Sequence, residues 1–429
     1  MKTETESQSC KEIIPMKEEI INCIDDPRQL EKLYQENKTT FKREFNLIYP
    51  EIQDNTTAQI WDARLNFENE EISWGINNEL WLVIVVALAA GLVAKIPDFF
   101  GIDPDFFYPR NLAFVVFPFL TTYFAWKQKL NKNRILSVSA AFLISALYIN
   151  LLPEDINSDT LILACIHLPL FLWAVLGFTF IGDKLNNYQK RLEFLRYNGD
   201  LVVMTTIIII AGALLTGITL GLFELIDLSI EEFYFQNVGI WGLSASPIIG
   251  TFLVRTNPHL VNKVSPVIAK VFTPLVLITL VVYMIAIIYT GKDPYNDREF
   301  LFIFNLLLIG VMALILFSIA ETNRNSKSKI GIFLLLGLSL MTVIINGIAL
   351  SAILFRISEW GITPNRLAVL GSNILILSNL LIVTYSLYKT LKNRNQMESV
   401  EKSITTFLPV YTVWALFVIF IFPVLFGFK

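Results

Sequence analysis

The sequence predicts an all-α, polytopic membrane helix bundle of about eleven transmembrane helices, and three observations carry that prediction. Hydrophobic residues fill 54% of the 429 positions and charged residues only 17%, with a mean hydropathy of +0.56, too apolar for a water-soluble domain. The apolar residues gather in runs near the ~20 residues that an α-helix needs to cross a hydrocarbon core of about 30 Å. Lys and Arg collect in alternate connections between those runs, as they do when a chain weaves through a membrane with its basic loops inside.

The runs cover residues 80–97, 111–126, 135–152, 160–181, 201–223, 238–254, 271–290, 300–320, 330–355, 367–388 and 407–426. The second and sixth are the weakest, being short or interrupted by Gly and Pro. Each even-numbered connection holds three or four Lys and Arg, and each odd one none to two. Removing either weak run would move every later connection to the other side and destroy the alternation. The N-terminus is therefore expected inside and the C-terminus outside, in a bacterial inner membrane. The odd connections are acidic, with Asp98, Asp103, Asp105, Glu154, Asp155, Asp159, Asp227, Glu231, Glu232, Asp293 and Asp297. That is what remains once cations are kept inside, or else a face that attracts cations.

The chain divides by composition into residues 1–78, a cytoplasmic amphipathic helical segment, and residues 79–429, the transmembrane helical domain. In the first part Asp26 reads as an N-cap with Pro27 at the first helical position, then Leu30, Leu33 and Tyr34 on one face. Phe41, Phe45 and Ile48 repeat the pattern, and Ile60, Trp61 and Leu65 offer a third apolar face. These helices are too short to bury a full core alone and are expected to pack on the bundle or on headgroups. No apolar run precedes the one near Leu80, so no secretory signal is expected. Cys10, Cys23 and Cys165 have neither disulfide nor metal spacing, so no metal or other cofactor is expected.

Within the runs, polar residues are costly and are the default functional candidates. Lys95 lies near the outer end of the first, where a long side chain snorkels. His167 sits mid-run two residues before Pro169, as a hydrogen-bonded contact to a neighbouring helix or a proton relay. Asn305 and Asn346, with Asn373 and Asn379, are interhelical hydrogen bonders or solute ligands. Gly217 and Gly221 form a small-residue face. The stretch GIWGLSASPIIG (239–250) reads as a broken or tightly packed helix.

The most polar short connection is the ninth, FRISEWGITPNR (355–366), which keeps two arginines outside against the charge trend. Gly361 and Pro364 supply turn chemistry. Arg356 and Arg366 with Glu359 between them form either a fork for phosphate or carboxylate, or an internal ion pair that staples the hairpin.

RISEWGITPNR resembles the R-I-x-E-(Y/W)-G-(I/L)-T-x-N-R signature of an uncharacterised bacterial membrane family, domain of unknown function 4153. The N-terminal LEKLYQENKTTFKREFNLIYPE, followed by IWDARLNFE, is similar to the lead segment of Bacteroidetes-type members. The resemblance implies a polytopic membrane protein and singles out Arg356, Glu359, Gly361, Thr363, Asn365 and Arg366. It implies no activity.

No phosphate-binding Gly loop, HExxH, nucleophile elbow or CxxC is present, and no residue is assigned a catalytic role. The one enzyme-like feature is Asp103-Pro104-Asp105, placed where membrane glycosyltransferases that use lipid-linked sugars carry acidic residues. The partners implied are the lipid bilayer and a small or lipid-like solute, with no nucleic acid. The sequence thus points to a transporter-like or permease-like protein. Its alternatives are a non-transporting envelope sensor or scaffold and, last, a glycosyltransferase.

Overall fold

The computed structural model describes residues 16–67, 77–153, 158–183, 185–224, 228–262, 264–290, 295, 298–321, 329–392 and 397–428. Among these residues there is no strand, and the chain forms two compact units, Met1–Ile72 and Ser73–Lys429. Glu154, Asp155, Asp227, Asp293 and Asp297 of the acidic connections lie outside the described residues.

The first unit holds α1 (Met16–Asn22), α2 (Pro27–Glu36), α3 (Lys38–Ile52) and α4 (Thr56–Phe67). Asp26 caps α2 through hydrogen bonds from the Arg28 and Gln29 amides, and Pro27 occupies the first turn. Asn37 caps α3 in the same way by accepting from Thr40 N. Contrary to the sequence expectation, these four short helices enclose a core of their own. Ile20, Leu30, Phe41, Phe45, Ile48, Ala58, Trp61 and Leu65 are buried together. Each large side chain there contributes about 1.5–3 kcal/mol by leaving water. The apolar face of α4 is also displaced from the expected one: Ala58, Trp61 and Leu65 point inward while Ile60 is exposed. Arg64 stacks on Trp61 and Tyr34 and pairs with Glu31, tying α4 to α2.

The second unit begins with α5 (Asn77–Ala94), the short α6 (Ile96–Phe100), α7 (Pro104–Lys127), α8 (Lys132–Leu151), α9 (Asp159–Ile181) and α10 (Tyr188–Glu224). After α11 (Glu231–Phe233) a π-helical turn, Tyr234–Gly239, leads into α12 (Ile240–Thr256), followed by α13 (His259–Asn262) and α14 (Val264–Thr290). The remainder is α15 (Arg298–Glu321), α16 (Lys329–Trp360), α17 (Pro364–Lys392), α18 (Met397–Thr406), α19 (Leu408–Leu416), a second π-helical turn and α20 (Phe422–Leu425).

All eleven expected runs fall on helices. Among the described residues, nine helical stretches are long and apolar enough to cross a membrane. The two that fall short are α5, which breaks at Lys95 after 18 residues, and α7, whose 24 residues include Asp105, Arg110 and Lys127. The sixth run, expected to be weak, is among the nine because the π-helical turn and α12 join without a break, from Glu231 to Thr256.

Hydrogen bonds and ion pairs at the helix ends sort the connections into two faces without reference to hydropathy. On one face Lys127 pairs with Glu79, Gln128 donates to the Phe180 carbonyl, and Arg134 lies 3.2 Å from Asp183. The same face has Arg191 donating to the Thr405 carbonyl, Arg196 to the Ala320 carbonyl, and Ser265 to Asp200. These contacts join the start of α5 to the second, fourth, sixth, eighth and tenth connections. On the other face Lys95 donates to the Gln236 carbonyl, Asn111 and Asn150 exchange hydrogen bonds at 2.8 Å, and Ser158 donates to the Phe428 carbonyl. Tyr295 and Ser351 also meet there, at 3.2 Å. Odd and even connections never mix in these contacts, so α5 and α7 run the length of the bundle like their neighbours.

Close packing relies on glycine where aromatic rings press on backbone. A Cβ on Gly91 of α5 would lie 2.3 Å from the Trp241 ring of α12, and one on Gly371 of α17 would lie 2.0 Å from the Trp414 ring of α19. Gly250 packs against Thr205 and Leu201, and α12 continues through Pro247, so this helix is tightly packed and unbroken. Gly217 of the GITLG stretch instead faces open space. Lys95 does not snorkel: it is 6% exposed, pairs with Asp98 and bonds the Gln236 carbonyl, because the break after α5 turns its side chain inward.

Candidate functional site

An apolar groove of about 610 Å³ runs over α9 between α8 and α19 in the second unit. Its floor is Phe171, Trp173, Ala174, Gly177, Phe178 and Ile181. Ser137, Val138 and Ala141 of α8 form one wall, and Leu408, Pro409, Thr412 and Val413 of α19 the other. From Phe171 to Ile181 the floor climbs ten helical rises, about 15 Å, or roughly half the thickness of a hydrocarbon core.

The polar end lies at the even face, where Leu185, Asn186 and Arg191 complete the lining. Arg191 donates from Nε and Nη2 to the Leu185 carbonyl at 3.1 and 2.9 Å, and from Nη1 to the Thr405 carbonyl at 3.3 Å. Neutral carbonyls fix the guanidinium in place, and among the described residues no carboxylate pairs with it. Trp173 is oriented by donation from Nε1 to Asn198 Oδ1 at 2.9 Å, and Asn198 is held in turn by the Phe194 carbonyl at 2.6 Å. Phe194 of α10 lies so close to Gly177 that a Cβ there would come within 2.8 Å of its ring, so glycine lets α10 close the floor from behind. None of these residues was singled out from the sequence. Trp173 and Gly177 sit in an unremarkable apolar run, and Arg191 looks like any positive-inside residue.

The residues that the sequence did single out are dispersed. His167 lies on the same helix as the groove floor, is 8% exposed, and donates from Nδ1 to the Leu163 carbonyl of its own helix at 2.9 Å. Asn346, on α16, is fully buried, and neither end of its amide meets a hydrogen-bond partner. Asn305 is half-buried on α15. Asn379 bonds the Tyr411 hydroxyl at 2.9 Å, joining α17 to α19, and Thr384 donates to Ser339 across the α16–α17 pair at 3.0 Å.

The hairpin after α16 is a compact turn. Gly361 takes φ +76°, a left-handed value that ends α16, and Thr363 accepts from Arg366 N to start α17 beside Pro364. Arg366 donates from Nη1 to the Trp360 and Gly361 carbonyls at 2.8 and 2.7 Å, satisfying the end of α16. Both guanidiniums stack on Trp360, Arg356 at 5.3 Å and Arg366 at 5.7 Å from its centroid. The expected staple through Glu359 is not formed: Glu359 is exposed and makes no ion pair among the described residues. At this turn the Trp360 indole receives both guanidiniums. Asn365 follows Pro364 in the first turn of α17.

In the Asp103-Pro104-Asp105 stretch, Asp103 caps α7 by accepting from Asp105 N at 2.9 Å, which occupies the carboxylate locally. Among the described residues, no three His, Cys, Asp or Glu side chains gather as a metal site. No family model, curated protein or solved structure matches this chain.

Proposed function

We propose that this multi-pass membrane protein is a permease-like protein for an amphiphilic, lipid-like solute, whose acyl chain occupies the groove over α9. The observation that carries this reading is the groove itself. It has an apolar trough about one leaflet deep and a fixed guanidinium at the end level with the basic connections. Its volume falls within the range of small-ligand sites, roughly 300–1,000 Å³. An acyl chain fits the trough, and an anionic or zwitterionic headgroup fits the charge at its mouth. By the distribution of Lys and Arg we place the even face in the cytoplasm of a bacterial cell, and on the hairpin signature we propose membership of the family of domain of unknown function 4153. A scaffold role would leave the groove without consequence, and a glycosyltransferase would depend on Asp103 or Asp105, of which Asp103 caps a helix.

The test uses the full-length protein in proteoliposomes containing a fluorescent, short-chain phosphatidylglycerol. Transbilayer movement of the probe and retention of lipid in native mass spectra are compared between the parent and Ala174→Trp, which fills the floor. The parent should accelerate exchange and retain lipid, and the variant should lose both. Equal behaviour of parent and variant in the two assays would remove the groove from function.

A further inference from the structure

The hairpin between α16 and α17 has a counterpart at the start of the bundle. RISEWGITP (356–364) and KIPDFFGIDP (95–104) share a cation, Ile, an acid three residues after the cation, an aromatic, Gly-Ile, an oxygen-bearing cap and Pro. The structure repeats the match. Gly101 and Gly361 both take left-handed φ, +65° and +76°, and Asp103 and Thr363 both cap the following helix. Further on, RNLA (110–113) answers RLA (366–368), and TYFAWK (122–127) answers TYSLYK (384–389) at the opposite end of each helix. Both hairpins turn on the odd face.

The two arginines differ in one respect. Arg366 is two residues past its proline and reaches back to the carbonyls that end α16. Arg110 is six past Pro104, and the four extra residues carry it about one turn deeper, away from the corresponding helix end. It is 5% exposed, stacks on Phe106 at 4.1 Å and donates from Nη1 to the Phe106 carbonyl at 3.3 Å. Its Nε and Nη2 meet no hydrogen-bond partner, and it makes no ion pair among the described residues. An arginine cannot shed its proton to relieve such burial, and the Nε–Nη2 edge is the one that accommodates two oxygens of a single oxyanion.

We propose that Arg110, released from its structural duty in the first copy of this hairpin, is a binding residue for a phosphate-type oxyanion within the α7–α8–α9 junction, beside the Asn111–Asn150 amide pair. The site stands apart from the groove over α9 and does not depend on it.

The test is the thermal denaturation of the full chain in neutral detergent, with inorganic phosphate, with phosphatidylglycerol and with phosphatidylcholine. At a probe concentration a hundredfold above its Kd, the parent should gain about 3 °C. A gain with inorganic phosphate identifies a free anion as sufficient, and a gain with phosphatidylglycerol alone identifies the lipid headgroup. Arg110→Gln should abolish the gain, and Arg110→Lys, which keeps the charge but not the two-pronged edge, should lose most of it and decides the matter if the glutamine variant does not fold. Arg366→Gln should lower the unliganded Tm and keep the gain. The proposal fails if neither phosphate nor phosphatidylglycerol stabilises the parent beyond phosphatidylcholine, or if Arg110→Gln or Arg110→Lys responds like the parent.

Discussion

Trp360 shows how a single side chain redirects an argument made from charge alone. Two arginines and a glutamate suggest an ion-pair network, but the carboxylate points to solvent while the indole receives both cations. Stacking of this kind contributes about 0.5–1 kcal/mol per exposed pair, so Trp360→Ala should cost about 1–2 kcal/mol in thermal or denaturant unfolding. Glu359→Gln should change stability by less than about 0.5 kcal/mol, as for any exposed side chain without a partner. A larger loss from the glutamate change than from the tryptophan change would restore the ion-pair staple. The same distinction between charge and contact separates Arg191, whose guanidinium is fixed by carbonyls, from Arg110, whose Nε–Nη2 edge has no such bonds.

At the scale of helices, glycines that look alike in sequence do opposite work. Gly91 permits α5 to lie against Trp241, and a methyl group there must displace an indole packed between two helices, so Gly91→Ala should destabilise by about 1–3 kcal/mol. Gly217 faces open space on α10, where Gly→Ala gains helix propensity, up to about 1 kcal/mol. Equilibrium unfolding of the two variants in the same detergent compares them directly. Destabilisation by Gly217→Ala equal to that of Gly91→Ala would mean that the α10 face is packed against something outside this chain.

For the whole bundle, the end-face contacts set which connections share a side, and the Lys and Arg distribution predicts which side is cytoplasmic. In a background with Cys10, Cys23 and Cys165 replaced by Ser, a membrane-impermeant thiol reagent should modify cysteines at Asp105 and Ile362 in intact cells. Cysteines at Lys129 and Asp183 should react only after permeabilisation. Labelling of Lys129→Cys and Asp105→Cys from the same side would break the alternation of faces, and the reverse assignment of the two pairs would invert the protein without altering its fold.

The sequence by itself determined the class, the positions of the eleven helical runs and several of their boundaries, because those properties depend on local quantities. Span length follows from the hydrocarbon thickness, and a cap or turn needs only its own few residues, as Asp26-Pro27, Asp103-Pro104 and Gly361 show. Tertiary structure decided everything that depends on which face of a helix meets which neighbour. A helix apolar all round carries no polar stripe to mark its buried side, so the groove over α9, the Trp241–Gly91 contact, the unpartnered amide of Asn346 and the bond of His167 to its own helix were not legible. The N-terminal core was missed for a related reason: each short helix offers too little apolar surface alone, and only the meeting of Ile20, Leu30, Phe41 and Trp61, one from each of the four helices, makes that surface a core. In a bilayer, where lipid and Leu are equally apolar, burial against lipid and burial against protein look the same from the sequence, and only the packed structure tells them apart.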